Sequence, residues 1–161
     1  MTTTIAQPVR LPPDIASDES GDGGALALSR LVLSEFRNYS SLKLDLEPQP
    51  VVLTGANGAG KTNLLEAISM LAPGRGLRSA PFAELVQAKS GETARQWGVA
   101  ATVHGPAGET RLGTSWTDPE MVGGNGGGRQ VKIDGVTQKS SGALSGHIRV
   151  TWLTPVSYTH L

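Results

Sequence analysis

The residues whose types and spacing suit chemistry lie between positions 55 and 63. Gly55-Ala56-Asn57-Gly58-Ala59-Gly60-Lys61-Thr62 satisfies G-x-x-x-x-G-K-[ST] at each fixed position. Wrapping a triphosphate requires converging backbone N–H groups, and therefore residues that lack a bulky Cβ and can adopt positive φ. A helix starting just after the loop adds unpaired amides and the positive end of its dipole. In that chemistry the backbone from Gly55 to Thr62 cradles the phosphates. Lys61 reaches the β- and γ-phosphates, and the Thr62 hydroxyl ligates Mg²⁺. Asn63 either helps position the metal or the loop, or is simply a helical residue near the N-terminus.

Other chemistry is thin. His104, His147 and His160 are too scattered for a metal site, and with no cysteine there is neither a thiolate zinc site nor a disulfide framework. Val122 to Gly128 is glycine-rich, but no helical pattern follows it. It reads as a flexible hairpin connection and not as a dinucleotide fingerprint. Trp97, Trp116 and Trp152 fall in strand-like stretches and read as core or sheet-face residues.

The elements that must position the loop follow from periodicity. Val51-Val52-Leu53 is a short apolar run, consistent with a buried strand of a parallel sheet. After Lys61, Leu64, Ala67, Ile68 and Leu71 recur at i, i+3, i+4 and i+7, one face of a helix that Pro73-Gly74 stops. Upstream, Leu26, Leu28, Leu31 and Leu33 predict a strand with a one-residue slip near Arg30. Leu42, Leu44 and Leu46 predict another, ended by Pro48 and Pro50. Downstream, Phe82, Leu85 and Val86 suggest a short helix, and Trp97–His104, Arg111–Trp116 and Arg129–Asp134 suggest strands. Pro106-Ala107-Gly108 supplies a turn, and Asp134-Gly135 a hairpin into Val136-Thr137. Ser140 to Gly146 reads as one or two helical turns and Ile148–Leu153 as a last strand.

Composition sets the frame. The 161 residues include 14 basic and 14 acidic side chains, 21 glycines and 10 prolines, fitting one domain with many short elements. Residues 1–24 hold Asp14, Asp18, Glu19 and Asp22 against Arg10 alone and lack an apolar period, so they read as a disordered leader. The remainder is mildly basic. No apolar run approaches a membrane span, and Met1 to Arg10 has no apolar signal region; a cytoplasmic location agrees with this.

The combination of loop and flanks resembles the RecF family of DNA replication and repair ATPases, relatives of the chromosome-structure ATPases. Leu33-Ser34-Glu35-Phe36-Arg37-Asn38-Tyr39 is similar to the family's first-strand motif, and Asn63-Leu64-Leu65-Glu66-Ala67-Ile68 to its loop helix. Gly74 to Ser79, Glu84-Leu85-Val86, Val131 to Gly135 and Val150 to Pro155 extend the likeness, whereas Val156 to Leu161 does not match. The resemblance implies an α/β P-loop NTPase fold: lobe I of an ABC-type ATPase head, a mixed sheet around the P-loop helix plus an antiparallel β part, truncated. Residues 25–155 would form that N-terminal lobe and 156–161 a non-matching tail.

The resemblance further implies ATP and Mg²⁺ as cofactors and an ATP-dependent homodimer in the full-length form. DNA at single-strand/double-strand junctions would be the substrate and RecO and RecR the partners. Arg37 and Asn38 either approach the nucleotide from the first strand or are an exposed strand-end pair. Arg75, Arg78, Lys89 and Arg95 either contact DNA phosphates or belong to solvated loops. Glu66 is expected to face solvent or pair locally. Family members continue into a coiled-coil-like arm, a signature motif and acidic Walker B residues, so the 161 residues alone are expected not to hydrolyse ATP. Alternatives are another P-loop protein, SMC-like or a small-substrate kinase, and a truncated head without function.

Overall fold

The computed structural model describes residues 26–89, 92–93, 95–122 and 127–153. The leader at 1–24, most of the glycine-rich connection and the tail at 156–161 lie outside the described residues.

Six strands form one sheet: β1 (Ala27–Phe36), β2 (Tyr39–Asp45), β5 (Gln96–Gly105), β6 (Gly108–Thr117), β7 (Gly128–Ile133) and β8 (Val136–Thr137). Their order is β2-β1-β5-β6-β7-β8, and each neighbouring pair is antiparallel. A separate small hairpin pairs β3 (Ala88–Lys89) with β4 (Glu92–Thr93). One α-helix, α1 (Lys61–Ser69), follows the glycine loop. Short 3₁₀ turns cover Phe82–Leu85, Pro119–Met121 and Ser141–Gly146.

Sheet register follows from the alternation. Leu31 and Leu33 of β1, Trp97, Val99, Ala101 and Val103 of β5, Leu112 of β6 and Val131 of β7 are all buried on one face. A one-residue shift in register would put each of them into water. The slip near Arg30 is a β-bulge: Leu28 pairs with Val103 and Arg30 with Thr102, leaving Ser29 as the extra residue. Asp134 and Gly135 both have positive φ, 49° and 83°, as the two-residue turn between Ile133 and Val136 requires.

Two strand expectations fail. Val51 and Val52 are exposed and unassigned, with only an isolated bridge at Leu53. A parallel-sheet strand is buried when its neighbours pair with it and both faces of the sheet are covered, and none of the named strands pairs with this stretch. Residues 148–153 are likewise not a strand; Ile148 is buried, but Trp152 is 41% and Leu153 96% exposed. Trp152 is therefore no core residue, unlike Trp97, which is buried edge-to-face on Phe36 with centroids 5.5 Å apart.

Helix α1 is covered on two sides. Leu64 and Ala67 pack into the core as the spacing predicts, but Glu66, Ser69 and Met70 are buried too. The segment after the helix folds back over this second side: the Leu77 N–H donates to Ser69 Oγ at 2.7 Å, and a Cβ on Gly76 would collide with Met70 and Ser69. Where the helix ends, the partly buried guanidinium of Arg129 from β7 donates to the carbonyls of Met70 (2.7 Å), Ala72 (3.1 Å) and Gly74, and to Thr114 Oγ1 (3.0 Å). The positive charge thus meets the negative end of the helix dipole.

Candidate functional site

Between β2 and α1 the chain forms the glycine loop, and its backbone has the conformations that the motif's chemistry needs. Gly55, Gly58 and Gly60 have φ of 144°, 80° and 100°. Gly60 is the left-handed N-cap of α1, and among the described residues no side chain caps that end of the helix or brings an acid to its first turn. Space also demands glycine here, because a Cβ on Gly60 would collide with Asn38 Nδ2 and the Tyr39 hydroxyl. The Tyr39 hydroxyl is itself buried without a hydrogen-bond partner among the described residues.

Asn57, Gly58, Gly60, Lys61, Thr62, Asn63 and Arg78 line an open cavity of about 290 Å³. Lys61 Nζ donates to the carbonyls of Gly55 at 2.6 Å and Ala56 at 2.9 Å. Those two bonds hold the ammonium within the loop, and anionic oxygens entering the cavity can replace them with stronger charge-assisted ones. The Thr62 side chain is exposed at the same cavity, its hydroxyl open to a hard cation. Among the described residues no group of three or more His, Cys, Asp or Glu could hold a metal, and the side-chain oxygens at this cavity are the Thr62 hydroxyl and the Asn57 and Asn63 amides.

Of the two residues expected from the first strand, only Asn38 adjoins the loop. Its Oδ1 accepts from Asn63 Nδ2 at 2.9 Å, and its amide lies against Gly60. Arg37 has its guanidinium elsewhere: Nε and Nη2 donate to the two carboxylate oxygens of Glu66 at 2.9 and 3.0 Å, and Nη1 to the Glu84 carbonyl at 3.0 Å.

Glu66 corrects an expectation. It is 1% exposed and paired across the fold. The apolar spacing identified one buried side of α1 and could not show that the chain returns over the other. Arg78, which the sequence left open as a DNA contact or a solvated loop residue, donates to Glu66 Oε2 at 3.3 Å and Asn63 Oδ1 at 3.1 Å. Arg75 sits over the Phe82 ring, and Arg95 lies near Asp118 and Glu120 at 3.9 and 3.8 Å. Arg129 carried no sequence signal, since an arginine inside a strand pattern reads as surface. Its burial disfavours the charged guanidinium and pushes its pKa below the ordinary arginine value.

A second, apolar concavity of about 520 Å³ separates the helix from the sheet edge. Leu28, Leu44, Pro50, Leu53, Leu65 and Ile68 are among its walls. Leu65, Val51 and Leu26 expose 50%, 43% and 46% of their surface. Among the described residues no helix is long and apolar enough to cross a membrane.

Residues 27–148 match the family model described as the RecF/RecN/SMC N terminal domain. Among curated proteins, "DNA replication and repair protein RecF" of Mesorhizobium japonicum is 47% identical over 128 residues, covering 80% of this chain and 32% of the relative. The protein of the same name from Rhizobium meliloti is 44% identical over 128 residues, with the same coverage. The chain thus spans about a third of the length of the curated relatives it matches. Among solved structures, an ATP complex of the recombination mediator protein RecF in the RecFOR pathway aligns with TM-score 0.61 and 27% identity, over 78% of this chain and 32% of that one. A structure from work on ATP-driven dimerization and DNA-stimulated activation of SMC ATPases aligns with TM-score 0.59 over 74% and 76%; at 20% identity it speaks to the fold alone.

Proposed function

The chain belongs to the RecF/RecN/SMC N-terminal domain family, and from that premise we propose that it is the ATP-binding lobe I of a DNA replication and recombinational repair protein, spanning residues 25–155. Gly55, Ala56, Asn57, Gly58, Ala59, Gly60, Lys61 and Thr62 hold the phosphates, and Thr62 ligates Mg²⁺. Asn63 and Asn38 brace the loop from one side, and Arg37 acts from behind it through Glu66. The observation behind this reading is the loop itself. Three glycines at positive φ lead into a helix N-terminus with no side-chain cap among the described residues, beside a lysine whose ammonium donates to two loop carbonyls. When bound, Mg²⁺ would be held by the Thr62 hydroxyl and would neutralise phosphate charge.

The whole protein, on this reading, binds gapped or junction DNA in an ATP-dependent way as a homodimer, with RecO and RecR as partners. The RecF relatives support the replication and repair role by their name, and the RecF structure supports ATP and the RecFOR pathway by its description. Hydrolysis is not assigned to these 161 residues. Among the described residues the cavity lining contributes donors, one hydroxyl and two asparagine amides but no carboxylate to orient a water, and Glu66 is committed to two arginines.

The test is thermal melting with and without Mg·ATP. Ligand at a hundred times its Kd should stabilise the fold by about 2.7 kcal/mol, and Lys61→Ala should abolish the gain while barely moving the unliganded melt. Absence of any Mg·ATP shift in the wild-type chain would refute nucleotide binding. Mg²⁺-dependent turnover that disappears with Lys61→Ala would refute the assignment of no hydrolysis.

A further inference from the structure

Five side chains close a ring beside the phosphate loop. Arg37 meets Glu66 through two hydrogen bonds, Glu66 meets Arg78, Arg78 meets Asn63, Asn63 meets Asn38, and Asn38 follows Arg37 in the chain. The ring joins the β1–β2 turn, the first two turns of α1 and the segment after the helix. Its members differ in exposure: Asn38 and Asn63 are open or half-open, while the Glu66 side chain is 1% exposed and those of Arg37 and Arg78 are 21% and 44%. A buried carboxylate is tolerated only when paired and fully hydrogen-bonded, so Glu66 fixes where both guanidiniums stand.

The backbone adds a second observation. Arg37 has φ of 53°, the left-handed conformation that the first position of the two-residue turn between Phe36 and Tyr39 calls for and that a non-glycine residue adopts only at a cost. There the side chain is tied to Glu66, and its own N–H donates to the Leu85 carbonyl at 2.7 Å. The neighbouring Asn38 then has its amide against Gly60, the residue that starts α1.

We propose that Glu66 is a positioning residue of the phosphate loop. Without touching a ligand itself, its carboxylate sets Asn38 against Gly60 through Arg37, and holds Asn63 and Arg78 at the cavity wall. The proposal rests on the reading of the cavity as a phosphate site, but the placement it describes exists without ligand.

The test uses the 161-residue chain with Glu66→Gln, which keeps the shape and removes the charge, and Glu66→Asp, which keeps the charge and shortens the reach. Asn38→Ala opens the ring at its exposed end should the buried variants fold poorly. Val131→Ala, in the sheet core, serves as a destabilised control. Amide NMR spectra read the loop and a Mg·ATP titration reads affinity. Glu66→Gln should move the Gly60 and Asn63 amide signals and weaken Mg·ATP about tenfold or more, the scale of one lost charge-assisted contact. Glu66→Asp should restore part of both, and Asn38→Ala should lower affinity severalfold with little loss of stability. Val131→Ala should leave both readouts as in wild type.

Loop signals and affinity that change no more in Glu66→Gln and Asn38→Ala than in Val131→Ala would overturn the proposal. A wild-type chain that ignores Mg·ATP while Glu66→Gln still moves Gly60 and Asn63 would remove the nucleotide reading and leave the positioning role supported.

Discussion

In the antiparallel sheet, the side chains that hold the fold are neighbours in a ladder. Around the phosphate loop they come from four separate stretches of chain: 37–38, 55–63, 66 and 78. The sheet buries Leu31, Leu33, Val99, Leu112 and Val131 against one another, whereas the loop edge is polar, half open and tied by charge. Dispersion and the hydrophobic effect are non-directional and scale with area, so the sheet supplies stability. Hydrogen bonds to ions are directional and depend on distance, so the loop edge supplies position. Stability and binding should therefore respond to different substitutions.

Leu33→Ala is the strongest way to break that separation. Leu33 is fully buried in β1 between β2 and β5, and its truncation should cost about 2–5 kcal/mol, read as a lower urea midpoint with unchanged slope. Under conditions where the variant remains folded, its Mg·ATP affinity should match wild type. An affinity loss beyond the unfolded fraction would show that the sheet core also sets the loop.

The same contrast explains what could be read from the sequence. Ladder neighbours follow from period and turn residues, so the bulge near Arg30, the Asp134-Gly135 turn and the phosphate loop were all visible as local patterns. The ring was not, because Arg37, Glu66 and Arg78 meet only after the chain turns back at Gly76. The Val51–Leu53 run misled for a related reason. Apolar residues announce burial but not the partner that buries them, and here Val51 and Leu53 line an open concavity.

Arg129 crosses the divide. It stands on β7, yet its guanidinium caps the end of the phosphate-loop helix and lies 5.5 Å from the Phe82 ring centroid. Arg129→Met keeps most of the apolar stem and strands the Met70, Ala72 and Gly74 carbonyls. It should cost about 1.5–3 kcal/mol, the range for hydrogen bonds to a charged group. Amide hydrogen exchange should locate the loss in residues 67–72 of the helix end, with the β5–β6 ladder keeping its protection relative to global stability. Uniform loss across both would mean that helix and sheet unfold as one unit.

The smallest effect sharpens the comparison within arginine–carboxylate pairs. Arg30 and Asp45 meet at 2.7 Å across β1 and β2, about as close as Arg37 and Glu66, but both side chains are largely exposed. Water and salt screen such a pair, and ordering two side chains offsets most of its attraction. The hydrogen bond from Arg30 holds the Asp45 carboxyl below its ordinary 3.8. The folded chain thus binds that proton less readily than the unfolded chain does. The pair's contribution is therefore present above the unfolded pKa and is lost as pH falls through the folded value. Asp45→Asn should leave the urea midpoint at pH 7 and high salt within error of wild type, and should slightly flatten the decline in stability below about pH 4. A loss at pH 7 as large as that of Glu66→Gln would mean that distance, and not burial, decides what an ion pair is worth in this fold.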